Sequence, residues 1–354
     1  MDFQLYRGIG VLLLCCCGTG SSGQGYPAPS SSAGRQSHAA PNPANLRFVR
    51  SIASAQDLQQ PLHPILDKAL DIVAGPADPS PHVDSLQNPA AVITDAGGRI
   101  FVADPGAKSV HVFDPAHSRY HLLDAGEDRL GSPIALAVDG EDNLYVIDEN
   151  SRTILLYNSA GKFRRRLGEL HGGESYFEQP TGVAINRRNG WMYVCDARRN
   201  MVVVTDGRGH LINRIGKRGG GDQPGDFHMP TQAVVAGEEL FVLDIGNRRI
   251  QVFDVAGHFR RMIKAVITDP RAGLAVDDKL NVYISDPSLR NIQAFGRDGR
   301  LLYTYDPTGT TEGEFSRPTG MWVSPEGCLY VVDSGNRRRV DVFQIGGHES
   351  QQCR

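Results

Sequence analysis

Phe101-Val102-Ala103-Asp104, Tyr145-Val146-Ile147-Asp148, Tyr193-Val194-Cys195-Asp196, Phe241-Val242-Leu243-Asp244, Tyr283-Ile284-Ser285-Asp286 and Tyr330-Val331-Val332-Asp333 are one phrase written six times. Each is an aromatic, a Val or Ile, a variable residue and an aspartate. The aspartates follow one another at intervals of 44, 48, 48, 42 and 47 residues. A period in this range marks a repeat architecture, in which one supersecondary unit recurs along the chain. Residues present in every unit are expected to build it. Function is expected where one unit departs from the others.

The fourth unit shows what is repeated. Gln232-Ala233-Val234-Val235, Leu240-Phe241-Val242-Leu243-Asp244, Arg249-Ile250-Gln251-Val252-Phe253 and His258-Phe259-Arg260-Arg261-Met262-Ile263 read as four short strands separated by turns. Such a meander is the blade of a β-propeller. Nine residues after the repeat aspartate stands Phe113, Tyr157, Thr205, Phe253 or Phe295. In the last unit Phe343 comes ten after, because one residue is inserted in the Arg337-Arg338-Arg339 turn. A proline opens each unit: Pro89, Pro133, Pro180, Pro230, Pro270 and Pro318. Blades therefore start near residues 86, 130, 177, 227, 269 and 315.

The sixth blade stops after its third strand, at Gln344-Ile345. Leu46-Arg47-Phe48-Val49-Arg50-Ser51-Ile52 reads like the fourth strands Phe163-Arg164-Arg165-Arg166-Leu167 and Leu211-Ile212-Asn213-Arg214-Ile215. An N-terminal strand that completes the last blade would close the ring and leave no unpaired radial edge. The expected fold is all-β: a six-bladed β-propeller with its N-terminal strand closing the last blade, and one short helix inserted before blade 1. That helix is read from Leu62, Ile65, Leu66, Ala69, Leu70 and Val73, with Gly75-Pro76 as its stop. It would serve as a plug against the blades, or as a lid over the channel mouth.

The remainder of the chain divides around the ring. Residues 1–17 hold a short apolar run ending in Cys15-Cys16-Cys17, too short to span a bilayer and suited to an export signal. Residues 18–45 are rich in Pro, Ser and Ala and read as a flexible tether. The expected organisation continues with the closing strand at 46–53, the helical insertion at 54–85, the propeller at 86–345 and a tail at 346–354. A net charge of −3 gives no global reason to expect nucleic acid or an anionic membrane as partner. Cys195, Cys328 and Cys353 are an odd set without short spacing, so no disulfide framework is expected and all three read as inert.

Asp244-Ile245-Gly246-Asn247-Arg248-Arg249-Ile250-Gln251-Val252-Phe253, Asp333-Ser334-Gly335-Asn336, the Pro-Thr-Gly openings and the Gly-x-Phe turns resemble the NHL repeat. The resemblance covers residues 86–345, with blades 1, 2 and 5 degenerate: Asp104-Pro105-Gly106-Ala107 and Asp286-Pro287-Ser288-Leu289 lack the Asn. The arrangement as a whole resembles exported bacterial six-bladed NHL-type propellers, which share no single activity. The leader resembles a bacterial lipoprotein signal. That resemblance implies lipidation at Cys17, although Cys16 stands where a Gly, Ala or Ser is usual; a simply cleaved signal is the alternative. Either way the chain is expected to be exported, periplasmic or anchored at the outer membrane.

The candidate site is read against the repeat. The six aspartates are expected to cap their own turns rather than hold a ring of metals. Arg198, Arg199, Arg248, Arg249, Arg337 and Arg338 lie in the turns after the second strands of blades 3, 4 and 6, on the face that also carries Lys217 and Arg218. They form a basic arc suited to an anionic ligand, or else pair with the turn aspartates. His228 opens blade 4 where the other blades have Gln179, Arg317, Ser132 and Asn88. The amidating lyases, propellers of related repeat type, hold zinc in the channel through several histidines, and one histidine does not make such a site. No Gly-x-Ser-x-Gly elbow, phosphate loop or His-Glu-x-x-His motif is present. The expectation is a binding or scaffolding propeller of the cell envelope, more an interaction module than an enzyme, without cofactor or metal. A protein or an anionic envelope ligand is the expected partner, with membrane contact through a lipid anchor only and no nucleic acid. The alternative is a metal-dependent lyase or lactonase-type enzyme with its site at the channel mouth.

Overall fold

The computed structural model describes residues 46–58, 84–123, 130–168, 175–307, 313–346 and Cys353. Six four-stranded antiparallel sheets are present, each built from consecutive strands except the last. Blade 4 sets the pattern: Pro230–Ala236, Glu239–Asp244, Arg249–Asp254 and Phe259–Lys264, from the inner strand outward. The chain is a six-bladed propeller. The short helical segments described are single 3-10 turns at Ala55–Leu58, Pro115–His117 and Ile245–Asn247. The expected helix over 62–73, the leader with Cys17 and the tether lie outside the described residues.

The closing blade runs Leu46–Ile52, Arg339–Ile345, Cys328–Asp333, Pro318–Val323, so the first strand of the ring is the outer strand of the last sheet. It pairs antiparallel from Leu46 opposite Ile345 to Ile52 opposite Val340, with a bulge between Phe48 and Arg50. Ile52 is fully buried, and Phe48 packs edge-on to Phe343 at 5.8 Å between ring centroids.

The phrase works through register. Its aromatic is buried between blades in every unit: Phe101, Tyr145, Tyr193, Phe241, Tyr283 and Tyr330. Its aspartate lies opposite the opening proline in blades 2, 3, 4 and 6, and the ladder shifts by a residue immediately after that pair. Proline has no N–H to offer, so the free donors are those of the residues just before it.

Glycine in the Pro-Thr-Gly opening answers to close packing at the channel. A Cβ on Gly182 would come within 2.5 Å of the Thr231 carbonyl of the next inner strand, and one on Gly320 within 2.3 Å of the Ala90 carbonyl. Blade 4 carries Gln232 at this position, and its side chain instead accepts from the Leu274 N–H of blade 5 at 2.7 Å.

One sequence expectation needs correction. Cys328 and Cys353 are not inert thiols: they form a disulfide. Cys353 packs in the same cluster as Ile52, Leu58 and Leu86, so the bond fastens the C-terminal tail to the closing blade. A loop of 25 residues gives about 3 kcal/mol of stabilisation in the chain-entropy account. Reduction, or Cys353→Ser, should lower the melting temperature by several degrees. A melt of the Cys353→Ser protein that matched the oxidised protein would remove this role. His111 lies in the third strand of blade 1 and is fully buried. Its Nδ1 is 2.9 Å from the Tyr120 hydroxyl and its Nε2 is 3.4 Å from the Asp104 carboxylate. Cys195 is the remaining described cysteine, and burial pushes its thiol far up.

Candidate binding face

The turns between second and third strands share one face of the ring with the loops that open each inner strand, and every repeat aspartate sits beneath that face. Their side chains are spent internally. Asp104 accepts from the N–H groups of Gln87, Asn88 and Ala107 at 2.6, 2.9 and 3.0 Å. Asp148 does the same for Gly131, Ser132 and Ser151, and Asp196 for Glu178, Gln179 and Arg199. Asp333 takes Ser316, Arg317 and Gly335. Asp286 takes Thr268, Ser288 and Leu289. Each carboxylate thus ties its own turn to the loop that opens its blade, about 17 residues upstream in Asp148, for example. The structure extends the turn-capping expectation into a clamp across the loop face. Burial opposes the charge of Asp104 and Asp148, yet these hydrogen bonds hold both carboxyls below their usual range, His111 contributing to Asp104.

The candidate arginines divide into two groups. Arg249 is buried, with Nε 2.8 Å from Asp244 and its other nitrogens on the carbonyls of Asp222, Gln223 and Asp226. Arg199 lies on Glu178 at 3.1 Å and over the Tyr176 ring, and donates to the Tyr176 carbonyl. Lys217 and Arg218 reach Asp226 and Glu178, whose carboxyl is lowered first of all by the bond from Arg199. Arg198, Arg248, Arg337 and Arg338 are exposed, and Arg337 has a contact of its own. His228 is exposed; its N–H donates to Asp244 at 2.7 Å, and Gly246 fits only because a Cβ there would meet the imidazole at 2.7 Å. Among the described residues no three His, Cys, Asp or Glu side chains come together as a metal site.

The sequence singled out neither Arg290 nor, beyond its place at the opening of blade 6, Arg317. Together with Arg338 they line one polar hollow of about 510 Å³ between blades 5, 6 and 1, beside Asn88, Ser316 and Asn336. Among the described residues no carboxylate lines it. A second cavity, of about 320 Å³, follows the central channel past Ile134, Val234 and Trp322 to Arg187 and Arg188 at the opposite face.

No family model matches the sequence. The chain is 23% identical over 246 residues to peptidylglycine alpha-amidating monooxygenase of Rattus norvegicus, covering 64% of this chain and 25% of that protein. It is 29% identical over 115 residues to the E3 ubiquitin-protein ligase NHLRC1 of Homo sapiens, covering 30% and 29%. With the protein brain tumor of Drosophila melanogaster it shares 24% over 143 residues, covering 40% and 14%. It therefore spans under a third of the length of these relatives. Among solved structures, a streptogramin B lyase superposes with a TM-score of 0.53 at 12% identity, over 73% of this chain and 93% of that one. The virginiamycin B lyase of Staphylococcus aureus gives 0.52 at 11%, over 76% and 83%. These relatives and the fold fit an NHL-type six-bladed propeller. At these identities the lyase likeness is one of fold alone.

Within the NHL-type repeat, the two arginines of Asn-Arg-Arg now have separate jobs. Arg249 is the first residue of a strand and turns inward to the clamp, whereas Arg248 ends the turn and faces solvent.

Proposed function

We propose that this propeller is a non-catalytic binding and scaffolding module of the cell envelope, recognising an anionic partner through its loop face. The observation that carries the reading is the sorting of the arginines. Arg249 is buried against Asp244 and Arg199 lies half-buried beside Asp196, while Arg198, Arg248 and Arg338 stand exposed without an ion-pair partner among the described residues. The clamps hold the loops that present them, so a partner meets a face that is already ordered, at little entropic cost. The Cys328–Cys353 disulfide fits an oxidising compartment and supports export. Lipidation at Cys17 would keep the module at the envelope. Tagged protein carrying Arg248→Glu and Arg338→Glu should lose an envelope component that the wild type retains at low salt. Identical recovery by both proteins would remove the basic face as the recognition surface.

A further inference from the structure

The turn after each second strand ends in a residue with left-handed backbone, four positions after the repeat aspartate and five in the last blade. These residues are Lys108, Arg152, Asn200, Arg248, Arg290 and Arg338, with φ between 43° and 57°. The turn dictates that conformation: in blade 4 the Arg248 N–H closes back onto the Ile245 carbonyl at 3.1 Å. It does not dictate the residue. Glycine and asparagine suit a positive φ, and any other side chain there costs about 1 kcal/mol or more. Five of the six blades nevertheless carry a cation, and strain retained at equivalent positions points to a use beyond the turn. All five cations are exposed, and none has an ion-pair or hydrogen-bond partner for its side chain among the described residues.

Equivalent turns of equivalent blades set these five charges at one level around the rim. Apolar side chains stand among them on blades 4 and 5: Met229 is 43% exposed, Val266 60% and Leu289 42%. Leu289 adjoins Arg290 in the chain, and Met229, itself at φ 54°, opens the blade whose turn ends in Arg248. Exposed carboxylates do occur on this face, at Asp84, Glu149, Asp222 and Asp306. Asp222 is bonded to its neighbour Gln223, and Glu149 to Ser132. Among the described residues, the hollow lined by Arg290, Arg317 and Arg338 holds no carboxylate and offers neutral amide and hydroxyl groups besides the guanidinium groups.

We infer that this face docks flat on an anionic lipid surface. A level ring of unpaired cations matches a planar layer of phosphate headgroups, and the hollow between blades 5, 6 and 1 seats one phosphodiester. Met229, Val266 and Leu289 enter the boundary between headgroups and acyl chains, as the apolar side of an interfacial element does. The net charge of −3 gave no hint of this, because the cations are segregated rather than in excess. The inference rests on the reading of the loop face as an anion-binding surface and names the anion.

The test is co-sedimentation of the full chain with vesicles of phosphatidylcholine alone and of phosphatidylcholine mixed with phosphatidylglycerol. Wild type should bind the mixed vesicles at least about tenfold more tightly, and added salt should reverse that gain. Arg290→Glu with Arg338→Glu should abolish the preference for phosphatidylglycerol. Val266→Ser with Leu289→Ser should weaken binding to the mixed vesicles severalfold while leaving the preference in place. All four are exposed, and unchanged melting curves would confirm that the variants fold. Equal binding to both vesicle types, or variants that bind as wild type does, would overturn the lipid assignment, since any attachment through the leader is indifferent to these substitutions. If the vesicles fail but Arg248→Glu with Arg338→Glu still loses an envelope protein, the loop face remains an anion-binding surface and its partner is an acidic protein.

Discussion

Deletion of residues 46–53 is expected to abolish the folded ring, whereas a chain lacking residues 18–44 should melt at the temperature of the full protein. The closing strand pairs with Arg339–Ile345 along its whole length and buries Leu46 and Ile52. Burying such side chains is worth about 2 kcal/mol each, and the partly buried Phe48 on Phe343 adds to it. With the ladder hydrogen bonds the sum approaches the 5–15 kcal/mol of net stability that a domain commands. The consequences spread beyond one sheet. Without the strand, Arg339–Ile345 becomes an open edge, and the cluster of Ile52, Leu58 and Cys353 that joins blade 6 to blade 1 through Val92 and Ile100 is breached. Calorimetry of both truncations decides the matter. If both melt alike, the N-terminal strand is not the clasp.

The fold was legible because its signals repeat. One turn aspartate is a weak sign, but six at a near-constant interval fix the blade, its strands and the need for a closing strand. What the sequence could not give was pairing across distance. Cys353 lies in a terminal tail, and only the closed ring brings it to Cys328. His111 looks like any polar residue of an alternating strand until the fold brings its ring to the Tyr120 hydroxyl and the Asp104 carboxylate. Arg248 and Arg249 are adjacent letters of one type, yet the first ends the turn with a left-handed backbone and the second begins the strand, so they point opposite ways. The left-handed cations were in reach: Lys108, Arg152, Arg248 and Arg290 each follow their aspartate by four residues. A shared backbone angle is invisible in letters. The polar hollow draws on three blades, so no single repeat announces it.

The second large effect is expected at the clamp of blade 4. Asp244 is fully buried and gathers the N–H of His228, the Asn247 amide, the Arg249 guanidinium and the Gln251 amide at 2.7, 2.8, 2.8 and 3.2 Å. Arg249 is itself buried, and its remaining donors end on backbone carbonyls. Those carbonyls keep the guanidinium hydrogen-bonded but cannot neutralise it. Asp244→Ala therefore strands a buried positive charge and unties the loop that opens the blade, which should cost about 3–5 kcal/mol in denaturant unfolding. Asp244→Asn keeps an acceptor of the same shape but loses the charge, and should fall between the alanine variant and wild type. Arg248→Ala, one residue from Arg249 but facing solvent, should stay within about 0.5 kcal/mol of wild type. This ordering separates the two arginines by energy as the turn separates them by direction. An Asp244→Ala protein as stable as wild type would show that the clamp is not what orders the loop face, and any partner would then have to order those loops on arrival.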